Sequence, residues 1–175
     1  MEIRESVKIE KVAMTKTHEK NLVKKGECIQ MAIVQERINI KRPVDKVFAY
    51  TTDANNLPKW VSGITESELT SHGPWGVGTT TKGISHVAGA SMKWTGKVTE
   101  FEMNSKWSMK TTSWGVIFEE HWSYDSVMGG TKFTKVYDMK IGWFLKLFTP
   151  MLVNWAQKSL EVSLNNLKRI LEAEA

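Results

Sequence analysis

The stretch from Ile64 to Ile141 constrains this chain most. Six strand-like runs follow one another there: "ITESELTS", "GTTTKGISHV", "SMKWTGKVTEFE", "KWSMKTTSW", "VIFEEHWSYDS" and "TKFTKVYDMKI". Gly, Asn-Ser or Gly-Gly punctuation separates them. Thr, Val, Trp, Tyr and Phe dominate, as strands prefer. Successive hairpins of this kind build an antiparallel sheet.

The flanks complete the plan. "AIVQERINI" alternates as a further strand. Pro43 then opens a short helix over "VDKVFAYTTD", where its fixed φ suits the first turn. "ANNLPKWVSG" reads as a second short helix or turn ending at Gly63. From about Phe144 to Ala173 the pattern is helical, with leucines at 160, 164, 167 and 171. Pro150 either kinks this helix or marks its true start. The expected class is α+β: a long curved antiparallel sheet wrapped around one long amphipathic C-terminal helix. Two short helices close one end.

Residues 1–30 differ. They are rich in Lys and Glu and lack aromatic residues. We expect a polar tail, flexible or marginally helical, ahead of a compact domain spanning 31–175.

Bulk properties narrow the function classes. Net charge is +5, from 24 basic and 19 acidic residues. The basic residues are scattered, so a nucleic-acid partner is not expected. A single cysteine, Cys28, excludes an intramolecular disulfide and a cysteine-based zinc site. The N-terminus lacks the apolar core of a secretory signal. The run Ile141 to Val153 is too short to span a bilayer and contains Lys146 and Pro150. We expect a cytoplasmic protein without stable membrane insertion.

Strand alternation assigns the inner face. In the last strand Phe133, Lys135, Tyr137, Met139 and Ile141 share it; in the preceding strand Val116, Phe118, Glu120, Trp122 and Tyr124 do. Glu120 and Lys135 are the charges in these two apolar faces. Any plausible hairpin register sets them opposite or diagonal. A charge in a dry core is costly unless paired. They therefore pair, face a wet cavity, or turn to solvent at a bulge. Trp107, Met109, Thr111 and Ser113 share another inner face, as do Met92, Trp94, Gly96 and Val98. On the long helix Phe144, Phe148, Met151, Leu152 and Trp155 form an aromatic and Met-rich first half, suited to core or to a surface that adapts to apolar ligands.

Several segments together resemble the polyketide cyclase/dehydrase-like branch of the START/SRPBCC superfamily. They are "IKRPVDKVFAYTTDANNLPKWVSGI", "GPWGVGTTTK", "VTEFEMNSKWSMKTTS", "GGTKFTKVYDMKI" and the C-terminal helix. The resemblance covers roughly residues 33 to 173. It implies a helix-grip fold, in which a seven-stranded antiparallel sheet grips the C-terminal helix around a deep hydrophobic cavity. Relatives bind lipids, sterols, polyketides or other apolar molecules, and some are aromatase/cyclases.

Chemical motifs are absent from the sequence. His18, His72, His86 and His121 are dispersed and form no metal-binding spacing. His121 should point outward from its strand. No nucleophile elbow exists, and Cys28 lies in the tail. In "SHGPWGVGTTTK" no helix follows the glycines, so they supply turn conformations between strands rather than a phosphate loop.

Three functions follow. The first is binding of a small lipid-like, polyketide-like or aromatic ligand, without catalysis and without a cofactor. Its candidate lining is Trp94, Trp107, Met109, Phe118, Trp122, Tyr124, Phe133, Tyr137, Phe148, Met151, Leu152 and Trp155, with Glu120 and Lys135 as polar anchors and Trp60 and Trp75 as a gate. The second is a cyclase or dehydratase using Glu120 and Lys135 as candidate catalytic groups. The third is an adaptor or co-chaperone-like role, with a protein partner reached through the tail.

Overall fold

The computed structural model describes residues 22–24, 27–87, 89–114 and 116–173. Strand β1 (Leu22–Lys24) pairs with β2 (Glu27–Ile40). After β2 come helix α1 (Val44–Thr52), a 3-10 turn (Ala54–Asn56) and helix α2 (Leu57–Trp60). Strands β3 (Ile64–Leu69), β4 (Thr80–Val87), β5 (Ala90–Glu102), β6 (Lys106–Ser113), β7 (Val116–Val127) and β8 (Gly130–Ile141) follow. A second 3-10 turn (Trp143–Phe148) leads into helix α3 (Thr149–Ala173).

Every pairing is antiparallel, in the order β1-β2-β8-β7-β6-β5-β4-β3. The seven long strands form the expected curved sheet, and the three-residue β1 extends its edge. The first long strand begins at Glu27, upstream of Met31. Of the tail, residues 1–21, including His18, lie outside the described residues.

Helix α3 lies across the inner face against β2 and β8, and against α2. Ala156, Leu160, Leu164, Leu167 and Leu171 form its buried stripe. Their three- and four-residue spacing keeps one face on the sheet. Each buried leucine contributes roughly 2 kcal/mol through lost contact with water. Pro150 marks the true start of the helix. It occupies the first turn, where a missing N–H breaks no helical bond.

The glycine segment is the connection between β3 and β4. Gly73 and Gly78 take φ of +103° and +92°, conformations in which a side chain is strained. No helix starts there. Gly78 donates its N–H to the Val98 carbonyl, tying the connection to β5.

Two buried clusters divide the interior. One joins α1 and α2 to β5–β8 and the end of α3, with Phe48, Trp60, Trp107, Tyr124 and Phe133 at its centre. The other joins β2, β7 and β8 to the first half of α3, around Ala32, Val34, Tyr137, Met139, Ala156 and Leu160.

Candidate functional site

Between these clusters the sheet and α3 do not meet. A cavity of about 190 Å³ remains, walled by β4–β8, by the α2–β3 connection and by α3. Small residues hold the space open on the helix side. Ser159 donates to the Ser62 carbonyl at 3.2 Å, and Ser163 accepts the Ser62 N–H at 2.9 Å. These bonds clamp the α2–β3 connection to α3 while filling little volume. On the sheet, Gly83 leaves room for the Trp94 indole and the neighbouring strand: a Cβ there would stand 2.5 Å from that ring and 2.0 Å from the Glu66 carbonyl oxygen.

The walls are largely apolar. Trp94, Met109, Phe118, Trp122, Tyr137, Leu152 and Trp155 line the cavity as the sequence suggests, together with Glu120 and Lys135. Leu57, Val61, Ile64, Val87 and Trp114 line it too. Those were not foreseen. Leu57, Val61 and Trp114 come from a helix, its end and a turn, where period-two reasoning gives no face. Ile64 and Val87 are the terminal residues of β3 and β4. The lining hydroxyls of Thr111, Ser113, Ser85 and Ser159 each donate to a protein acceptor: Glu120, and the Lys93, Met92 and Ser62 carbonyls.

Five nominated residues lie elsewhere. Trp107, Tyr124 and Phe133 are buried in the packed cluster. The Trp107 indole donates to the Tyr124 hydroxyl at 2.9 Å, and Thr51 shares a 2.6 Å bond with the same oxygen. Phe148 and Met151 are 52% and 59% exposed and do not line the cavity. The two proposed gate residues are not at the mouth either. Trp60 is 1% exposed and packs edge-on against Trp122 and Phe133. Trp75 packs perpendicular to Trp107 at 5.5 Å. The side chain of Phe144 lies outside those described.

The charged pair is the chemical centre of the wall. Register sets Glu120 opposite Tyr137 and Trp122 opposite Lys135, so the two charges are diagonal neighbours. Lys135 Nζ lies 3.0 Å from Glu120 Oε2, and Thr111 donates to Glu120 Oε1 at 2.9 Å. The ammonium also sits 4.0 Å from the Trp122 ring centroid, 4.8 Å from Tyr137 and 5.5 Å from Trp60. Aromatic faces stabilise such a cation. Burial acts against the charge, but the Glu120 carboxylate and Tyr137 outweigh it and hold Lys135 above the ordinary lysine value. Burial pushes the Tyr137 phenol up, against the opposing pull of Lys135. Near neutral pH the wall therefore presents a protonated ammonium and a neutral phenol. Neither is a base. The group can orient a polar atom of a bound molecule.

Among the described residues no group of three His, Cys, Asp or Glu is placed to hold a metal ion. His72, His86 and His121 are exposed. The backbone of Cys28 belongs to β2.

A curved antiparallel sheet gripping one long C-terminal helix defines a helix-grip fold. The profile described as "Polyketide cyclase / dehydrase and lipid transport" matches residues 31–172, so the chain belongs to that family. Solved structures agree on the fold. An aromatase/cyclase, Zhui, from a Streptomyces species superposes with TM-score 0.71 at 15% identity, over 81% of this chain and 94% of that one. A START superfamily protein from Mycobacterium smegmatis gives TM-score 0.69 at 14% identity, over 82% and 99%. A Thermus thermophilus protein gives TM-score 0.69 at 17% identity, over 82% and 99%. At these identities the likeness shows the fold alone. No curated protein matches the chain.

Proposed function

We propose that this protein binds a small hydrophobic ligand, aromatic or polyketide-like, in the cavity between sheet and α3, without catalysing a reaction. The carrying observation is an apolar wall on which the Thr111, Ser113, Ser85 and Ser159 hydroxyls donate to protein acceptors and Glu120 is paired with Lys135. Such a wall favours an apolar ligand with one or two polar atoms. Its volume, about 190 Å³, suits one or two rings; an apolar cavity of roughly 150 Å³ holds benzene. The test is native mass spectrometry of the purified protein, with extraction of whatever co-purifies. A small apolar adduct is expected. An empty protein that also binds no small aromatic probe contradicts the reading.

One observation favours a cyclase or dehydratase as the second reading: the Glu120–Lys135 pair lies on the wall beside Tyr137. Enclosure would order a flexible chain for intramolecular attack. Against it, Lys135 is held protonated and engaged by its partners. Turnover of a polyketide-like substrate that survives in wild type but is lost in Glu120→Gln would favour the enzyme.

A further inference from the structure

The two ends of the sheet differ in what they expose. At one end, Ser113 faces Val116 and Val116 faces Ile141, so the β6–β7 turn stands beside the exit of β8. The β4–β5 hairpin reaches past that turn, and Ser113 donates to the Lys93 carbonyl. The cavity opens here: Val87 and Trp114 line it from these segments, and Leu152 and Trp155 from the first half of α3.

The rim is apolar and exposed. Trp114 is 72% exposed and holds φ of +48°, an unusual conformation for a bulky residue. Leu147 is 91% exposed. Phe148 and Met151 stand one turn before the lining residues Leu152 and Trp155, so the exposed stripe runs into the cavity wall. The sequence segments 84–93, 111–118 and 141–158, which include the rim residues, contain no Asp or Glu, although the chain has 19 acidic residues. They contain Lys93, Lys146 and Lys158, all exposed.

We infer that this mouth docks on an anionic lipid surface. Exposed Trp, Leu, Phe and Met match the apolar side of a membrane interface, where Trp is favoured. Acid-free segments bearing lysines match its negative potential. No described helix is long and apolar enough to cross a membrane, so contact is peripheral. Docking there sets the cavity mouth against the bilayer, where an apolar ligand is dissolved.

Vesicle flotation tests this with the full chain. Vesicles of three parts phosphatidylcholine to one part phosphatidylglycerol should carry the protein, and pure phosphatidylcholine should carry far less. Binding should fall with added salt. Trp114→Ser, and separately Leu147→Glu with Met151→Glu, should each lower the partition coefficient at least about tenfold. Lys93→Glu with Lys146→Glu should lower it by roughly fivefold or more per lysine. Met103→Glu with Met128→Glu alters exposed residues at the opposite end and should leave binding unchanged. Three outcomes overturn the inference: wild type that does not float with the mixed vesicles, equal loss in the Met103/Met128 control, or a dimer in solution that Leu147→Glu with Met151→Glu dissolves. The last would make the face a contact between copies. Flotation needs no cavity ligand, so this inference and the proposed function can fail separately.

Discussion

The interior has a packed end and a hollow end, built from the same residue types on the same strands. At the packed end Phe48, Trp60, Tyr124 and Phe133 interlock through edge-to-face and tilted ring contacts, and Trp107 and Thr51 bond the Tyr124 hydroxyl. At the hollow end Trp94, Tyr137 and Trp155 stand around an open space. Trp122 belongs to both, touching Trp60, Trp107 and Phe133 while lining the cavity. Lys135 sits on the same boundary. Aromatic richness alone therefore does not make a binding site. The division depends on what α1, α2 and α3 press onto each stretch of sheet.

Perturbing each end should separate them. Phe133→Ala empties a fully buried site in the packed end and should cost about 3–5 kcal/mol in urea unfolding, by lost transfer and cavity formation. Lys135→Met leaves the Glu120 carboxylate buried without its partner, and a similar loss of about 3–5 kcal/mol is expected. Adding Glu120→Gln to Lys135→Met should recover most of it. A double variant no more stable than the single one would contradict the pairing argument.

A smaller effect is expected from Tyr124→Phe. It strands the Trp107 indole N–H, while Thr51 keeps its bonds to the Val47 and Phe48 carbonyls, for about 1–3 kcal/mol. Trp155→Ala should cost less than Phe133→Ala, because its ring already borders open space. The same change enlarges the cavity and should admit bulkier aromatic probes, measured by calorimetric titration. Equal losses at both ends would erase the distinction.

Alkaline pH probes the boundary. Lys135, Tyr137 and Tyr124 all have folded values raised above their ordinary 10.5, 10.0 and 10.0. A raised value means the folded state holds its proton more tightly. The associated stability is fully present below about pH 10 and is lost as pH rises through the folded values. Chemical denaturation should therefore show a steep fall in stability above pH 10. The fall should be shallower in Tyr124→Phe.

Much of this was legible beforehand. Period-two alternation put Phe118, Glu120, Trp122, Lys135 and Tyr137 on the inner face. Desolvation cost made pairing of Glu120 with Lys135 one of three expected outcomes, beside a wet cavity and a turn to solvent. The ion pair is the one the structure shows. The division into packed and hollow ends was not legible. Trp107 faces Trp122 and Tyr124 faces Phe133 across their strands, yet alternation cannot say which pair a helix will cover. Phe148 and Met151 fall outside the cavity because they lie one turn too early. Trp143–Phe148 is a 3-10 turn, α3 begins at Thr149, and the helix reaches the cavity at Leu152 and Trp155. Trp114 and Leu147, also on the rim, were hidden in turns, where no periodicity operates.

The central claim is that the hollow end takes up a small apolar ligand. Methyl NMR of methionine-labelled protein, titrated with 2-naphthol, tests it most directly. Met92 and Met109 line the cavity, whereas Met103 and Met128 are exposed at the far end. Ring currents from a bound aromatic should move the Met92 and Met109 methyl resonances in a saturable manner and leave Met103 and Met128 in place. Resonances that do not move, or that move alike at both ends, would contradict it.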